Sequence, residues 1–335
     1  MTSARYQEEA RAAIRAIEAE DATETEKAEM LMEIAMGLQI KPKNETQLKS
    51  AITLYEKALE LVPQNQPMLR ARIEARLGTA LRSCPGNDDK HLFRAKDCFE
   101  SALDILNKSG KHEEIAEIEM NLGLVLQTLS SLKKVPLTEA ISAYQRALRG
   151  FDKEKFPKEF AILQNNLATA FLSIPMTDQR VKMQEALAVQ SFEEALKVVS
   201  LIDHPNEYAM LQNNLGNALQ YSSSSHAVEN NVRALAAYDE ALKVRNEQNT
   251  PIEYANTLAN KANCLLNLPD DLTKPEDGNI ENCMKALKLY EKARDIFLAH
   301  QVPENAAMVS DVIQAIQKEF EELKPVKNGN ATIGS

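Results

Sequence analysis

The sequence predicts an all-α chain built as an array of about six helix pairs, with a capping helix at each end. Three observations carry this expectation. Hydrophobic residues make up 44% of 335 positions, enough for a core, while aromatics are 5%, Trp is absent, and Gly and Pro number only 10 and 13. An all-β chain needs many turns and many β-branched or aromatic residues, so this balance points to helix. The second observation is a phrase, Ala-x3-aromatic-x2-Ala, that recurs six times. The third is a companion phrase upstream of it, in which a small residue is followed three positions later by an apolar one.

The recurring phrase reads Ala51/Tyr55/Ala58, Ala95/Phe99/Ala102, Ala140/Tyr144/Ala147, Ala188/Phe192/Ala195, Ala234/Tyr238/Ala241 and Ala286/Tyr290/Ala293. Its aromatics are separated by 44, 45, 48, 46 and 52 residues, a drifting period that indicates one structural unit with variable loops. The companion phrase is Leu77-Gly78 with Leu81, Leu122-Gly123 with Leu126, Leu167-Ala168 with Phe171, and Leu215-Gly216 with Leu219; a weaker copy has Ala262 and Leu265, with Lys261 replacing the leucine. Each unit therefore reads as two helices, A and B, with a small residue where their backbones approach.

Helix starts are also legible. Pro157, Pro205 and Pro251 each open a Pro-x-Glu-aromatic-Ala run eleven residues before the small residue. Proline at a first helical position loses no hydrogen bond, and a following acid meets the positive end of the helix dipole. The expected repeats are 24–65, 66–110, 111–156, 157–204, 205–250 and 251–302. Residues 1–23 read as an N-terminal cap or half repeat on Ala10/Ile14/Ile17. Residues 303–323 read as a C-terminal capping helix with Met308, Val312, Ile316 and Phe320 on one stripe, and 324–335 as a disordered tail.

This pattern resembles the tetratricopeptide repeat. The resemblance covers about residues 24 to 323, and the His204-Pro205 opening with its LQNNL run is most similar to repeats of the kinesin light chain type. It implies a right-handed α-solenoid in which helix A of every repeat lines a concave groove. The family's unit is about 34 residues. The surplus here lies between helices A and B, in RSCPGNDDK, SIPMTDQR, YSSSSHAVENN and LPDDLTKPEDGN, which read as long edge loops.

The groove face has one unusual feature. LQNNLGNALQ at 211–220 nearly repeats LQNNLATAFL at 163–172, and asparagine is a mediocre helix former. At about 100° per residue, Leu211, Leu215 and Leu219 form one stripe, and Asn213, Asn217 and Gln220 fall roughly opposite, with Asn214 at the margin. The asparagines are thus expected off the core. The position two before the small residue is Asn in four repeats running: Asn121, Asn166, Asn214 and Asn260. Asn165, Asn213, Asn217 and Asn263 extend the set, with Arg72, Gln127 and Gln220 flanking it. An amide carries donors and an acceptor, so such a ladder suits the backbone of an extended peptide. The alternative is that the amides bond between helices and set the repeat packing. Family members that clamp carboxylate tails place Lys three before the small residue; Ala75, Met120, Asn165, Asn213 and Ala259 stand there instead.

Other classes are disfavoured. A formal charge of −10 opposes general attraction to nucleic acid or anionic lipid. No run of eighteen apolar residues occurs and the first residues are charged, so a cytoplasmic location without membrane insertion is expected. Cys84, Cys98, Cys264 and Cys283 lack metal or disulfide spacing and read as reduced and structural, and the glycosylation matches at Asn44 and Asn330 read as chance. No phosphate-loop, dinucleotide, zinc-protease or nucleophile-elbow motif is present, and His91, His112, His204, His226 and His300 are scattered among loops and helix ends. The acidic loop Asp270, Asp271, Glu276, Asp277 lacks calcium-loop spacing and reads as solvated. The expected function is non-enzymatic, with no cofactor and no metal: a scaffold or adaptor binding an extended segment of another protein. The alternatives are an architectural homo-oligomer or a sensor subunit for an effector protein.

Overall fold

In a computed structural model, residues 2–40, 45–84, 89–174, 179–223 and 226–322 are described. Asn44, Asn330, the tail 324–335 and parts of three of the four edge loops (85–88, 175–178 and 224–225) lie outside them. The described residues form fourteen α-helices and one 3-10 turn, and no strand. They are α1 (Thr2–Glu18), α2 (Glu24–Ile40), α3 (Glu45–Leu61), α4 (Pro67–Arg82), α5 (Asp89–Ser109), α6 (His112–Ser131), α7 (Leu137–Ala147) and α8 (Pro157–Ser173). Then come α9 (Gln179–Leu196), α10 (Pro205–Gln220), α11 (Ala227–Leu242), α12 (Pro251–Leu266), α13 (Ile280–Ala299) and α14 (Pro303–Glu322). The chain divides into two compact units, residues 1–174 and 175–335. Within them, consecutive helices pack as pairs: α2 with α3, α4 with α5, α6 with α7, α10 with α11 and α12 with α13.

The recurring phrase is the seam of each pair. Its twelve alanines are fully buried, and its aromatics are fully buried except Tyr290 at 4%. The three glycines of the companion phrase lie directly under rings of their own pairs. A Cβ added at Gly78 would stand 2.9 Å from Phe99 Cε1, at Gly216 2.6 Å from Tyr238 Cε1, and at Gly123 closer still to Tyr144. These glycines are therefore required by close approach, at a cost of roughly 0.5–1 kcal/mol each in helix propensity.

Helix starts follow the proline signal. Pro67, Pro157, Pro205 and Pro251 open α4, α8, α10 and α12, with Glu159, Glu207 and Glu253 in the first turn of the last three. Helix α14 also opens on proline, but eleven residues on stands Gln314, exposed, where each preceding pair has its small residue. With no small seat there, the helix is suited to close the array rather than to receive another ring.

In unit 1, Ala10 is buried and Ile14 and Ile17 pack against the core of α2 to α8. In unit 2, α14 departs from the expected stripe: Ala306, Val309, Ile313 and Ile316 are buried, Val312 and Phe320 are partly buried, and Met308 is 70% exposed. The burying face is rotated relative to the stripe chosen by hydropathy, because Ala306 packs closely enough to fill a core position. The edge loops are shorter than expected: Ala227 to Asn231, read as loop, form the start of α11. In the acidic loop, Asp270 is not simply solvated. Its carboxylate accepts the N–H groups of Glu281 (2.8 Å) and Asn282 (2.7 Å) and so caps α13. Among the described residues no helix is long and apolar enough to cross a membrane.

Substitution distinguishes required glycines from incidental ones. Gly123→Ala drives a methyl into a ring fixed at both ends, and overpacking of about 1–3 kcal/mol outweighs the helix gain. Gly37→Ala, with nothing within 4 Å of the new Cβ, should stabilise by about 0.5–1 kcal/mol. Thermal denaturation of the two variants should move in opposite directions.

Candidate functional site

In unit 1 the first helices of the pairs, α2, α4, α6 and then α8, lie side by side. Arg72 on α4 reaches α6, where its Nε donates to Glu114 Oε1 at 3.1 Å and its Nη2 lies 2.9 Å from the same oxygen. Arg72 and Asn121 share the lining of a cavity of about 180 Å³ whose apolar side is Met32, Met36, Phe99 and Ile118. Asn121 Nδ2 donates to the Glu117 carbonyl at 2.9 Å. Asn165 is buried, 8% exposed, and its Nδ2 donates to Asn166 Oδ1 at 3.4 Å. Gln127 points inward as well: its Oε1 accepts the Tyr144 hydroxyl at 2.7 Å.

In unit 2, Asn213 is 7% exposed and sits at the centre of a polar network joining α10 to α12. Its Oδ1 lies 3.2 Å from Thr257 Oγ1 and accepts Asn260 Nδ2 at 3.3 Å, while its Nδ2 donates to Asn214 Oδ1 at 3.2 Å. Arg245 Nη1 donates to Thr257 Oγ1 at 2.7 Å, and burial lowers the pKa of that guanidinium. The Tyr238 hydroxyl lies 2.7 Å from both Asn217 Oδ1 and Gln220 Oε1. Asn263 Nδ2 donates to the hydroxyl of Tyr221 at 2.7 Å.

Two predicted site residues thus differ from expectation. Asn165 and Asn213 are core residues, not surface ones. The helical wheel treats a helix as packed along one stripe, whereas these helices pack against a partner helix below and further helices alongside. The buried arc is correspondingly wider. A neutral amide tolerates that burial because it finds partners on the flanking helix, which a carboxylate or ammonium could do only at far greater desolvation cost.

Several participants escaped sequence reading: Thr257, Arg245, Tyr221, Asn256, and Asn305, whose Nδ2 donates to Asn256 Oδ1 at 3.2 Å. One missed link has a readable signal. Gln39, Gln127 and Gln220 stand four after the small residue in repeats whose ring is Tyr55, Tyr144 or Tyr238, and each accepts that hydroxyl. The phenylalanine repeats have Arg82 and Leu172 at that place, and Tyr290 is an exception with Leu266.

Elsewhere the chemistry is quiet. Burial pushes the Cys98 and Cys264 thiols up to about 11 and raises those of Cys84 and Cys283, which suppresses the reactive thiolate. The five histidines all stand at helix ends. Among the described residues no three His, Cys, Asp or Glu gather as a metal-binding group.

No family model matches the chain, and no curated protein matches it. The C-terminal part of a TPR repeat-containing protein from Cytophaga hutchinsonii is similar in structure, with 15% identity, a TM-score of 0.50, and coverage of 89% of this chain and 96% of that one. BtubC from P. vanneervenii is 19% identical with a TM-score of 0.37, over 90% of each chain. A Rap protein complexed with Competence and Sporulation Factor is 14% identical with a TM-score of 0.40, over 96% of this chain and 98% of that one. The fold is accordingly a tetratricopeptide-like repeat solenoid, all-α, with its helices packed in sequential pairs.

The buried network predicts a specific pattern of stability. Asn213→Leu removes the acceptor of the Asn260 amide, while the buried Thr257 hydroxyl keeps the Glu253 carbonyl at 2.8 Å, and should cost about 1–3 kcal/mol. Adding Asn260→Ala removes the amide left without its acceptor and should recover part of that loss. A double-mutant cycle by denaturant unfolding should therefore return a coupling of at least about 0.5 kcal/mol.

Proposed function

We propose that this protein is a non-enzymatic interaction scaffold that acts in the cytoplasm and binds an extended segment of a partner protein along the first helices of its pairs. In this reading its repeats are of the kinesin light chain type. The observation that carries it is the composition of the α10 and α12 faces. Beyond the first-turn Glu207 and Glu253, the stripe runs through Asn214, Asn217, Gln220 and Tyr221 on or just past α10 and Asn256, Asn260, Asn263 and Asn267 on or just past α12 without a charge, in a chain that is 26% charged. Solvated helix faces favour Glu, Lys and Arg, whereas interface centres are depleted of charge and enriched in tyrosine. Tyr221 is 66% exposed beside these amides. Asn121, Asn166 and Arg72 would serve unit 1, with Met32 and Met36 offering an adaptable apolar surface. Asn165 and Asn213 would act beneath, by holding their neighbours.

Affinity capture with wild type beside an Asn166→Ala/Asn214→Ala variant tests the reading. Partners should be lost from the variant while its helicity holds, with a melting temperature lowered by loss of the acceptors that Asn166 and Asn214 offer to Asn165 and Asn213. The same partners at unchanged yield would refute it. A concentration-independent oligomer by light scattering would instead support the architectural alternative.

A further inference from the structure

Two neighbouring helices of unit 1 carry matched charges. Arg72 and Arg76 stand one turn apart on α4, and Glu114 and Glu117 one turn apart on α6. The first couple closes, with Arg72 Nη2 2.9 Å from Glu114 Oε1. The second stays open. Arg76 and Glu117 are both exposed, and neither has an ion-pair partner among the described residues. Both line the cavity of about 180 Å³ whose apolar side is Met32, Met36, Phe99 and Ile118.

The polar rim offers unlike groups on its two sides. On α4, the planar guanidinium of Arg76 suits a carboxylate. On α6 stand the Glu117 carboxylate and, one turn further, Asn121. Asn121 Nδ2 donates to the Glu117 carbonyl, which can only accept, so its Oδ1 is the atom left over, and it has no partner among the described residues. A carboxylate and an amide oxygen together suit an ammonium group, which carries three donors. Size limits what lies between them. An apolar cavity of roughly 150 Å³ takes one benzene ring, so this one holds a single apolar side chain, and the thioethers of Met32 and Met36 adapt to its shape.

A residue inside a peptide chain has neither backbone charge, and a chain terminus has only one. We propose that this cavity binds a free α-amino acid with an apolar side chain, its carboxylate on Arg76, its ammonium on Glu117 and Asn121 Oδ1, and its side chain against the two methionines. The ligand completes the open couple, so each of its charges and each of the protein's meets an opposite one. This goes beyond the function proposed above and does not rest on it.

Isothermal titration calorimetry of the full chain with L-phenylalanine, L-leucine and L-methionine tests the assignment. At least one should bind, and glycine, which has the charges without the side chain, should not. The N-acetyl form of the tightest binder lacks the cation and its amide form lacks the anion; each should bind at least about tenfold more weakly than the parent. Arg76→Gln should abolish the preference over the amide form, and Glu117→Gln the preference over the N-acetyl form. Both substitutions lie at exposed positions, and circular dichroism checks that the helices persist. No heat from any of the amino acids at millimolar concentration, or equal binding of parent and blocked forms, would overturn the proposal. Either result leaves the partner capture by Asn166 and Asn214 to its own experiment.

Discussion

The contact of one aromatic ring with one residue that lacks a bulky side chain governs the rest of the molecule. In each pair, the ring of the second helix needs the first helix to come close, and only glycine or alanine permits that approach. Gly78 beneath Phe99, Gly123 beneath Tyr144 and Gly216 beneath Tyr238 are the clearest instances. Burying a ring of this size contributes about 1.5–3 kcal/mol, which exceeds the helix-propensity cost of the glycine below it. Once ring and glycine are matched, the rotation of both helices is set, and the alanines that flank the ring must also be small because they share the seam.

That rotation decides what the opposite side of the first helix can do. With the seam on one side and other helices alongside, only a narrow strip is left, and its margins are buried. Asn213 occupies such a margin. An apolar residue there would leave the Asn260 amide without its acceptor, and a charge would be desolvated without compensation. The amide meets both conditions and fixes the orientation of its neighbours. The polar face is organised from beneath, partly by the same tyrosines whose rings make the seam.

The pair architecture was legible in the sequence because its determinants are local. The Ala-x3-aromatic-x2-Ala phrase, the small residue, and the proline eleven residues before it each lie within one helix and recur. The site was legible only in part. Asn213 reads as surface on a wheel because its burial depends on Thr257 and Asn260, more than forty residues away. Tyr221 lies just past a helix end, where periodicity carries no signal. Met308 and Ala306 exchange roles because close packing, not hydropathy, selects the buried face of α14.

The two units resolve the same geometry with different chemistry. In unit 1, α4 carries Arg72 and Arg76 beside the Glu114 and Glu117 of α6, so the exposed strip is crossed by charges of both signs. An ion pair such as Arg72–Glu114, with both side chains substantially exposed, adds little stability but keeps that strip hydrated. In unit 2 charge on the strip is confined to the helix starts, at Glu207 and Glu253, and amides take the rest. A hydrated charge holds its water against a neutral partner, whereas an amide exchanges one hydrogen bond for another at nearly even cost. The amide-lined strip of unit 2 is therefore the one whose chemistry is suited to giving up water for a peptide backbone.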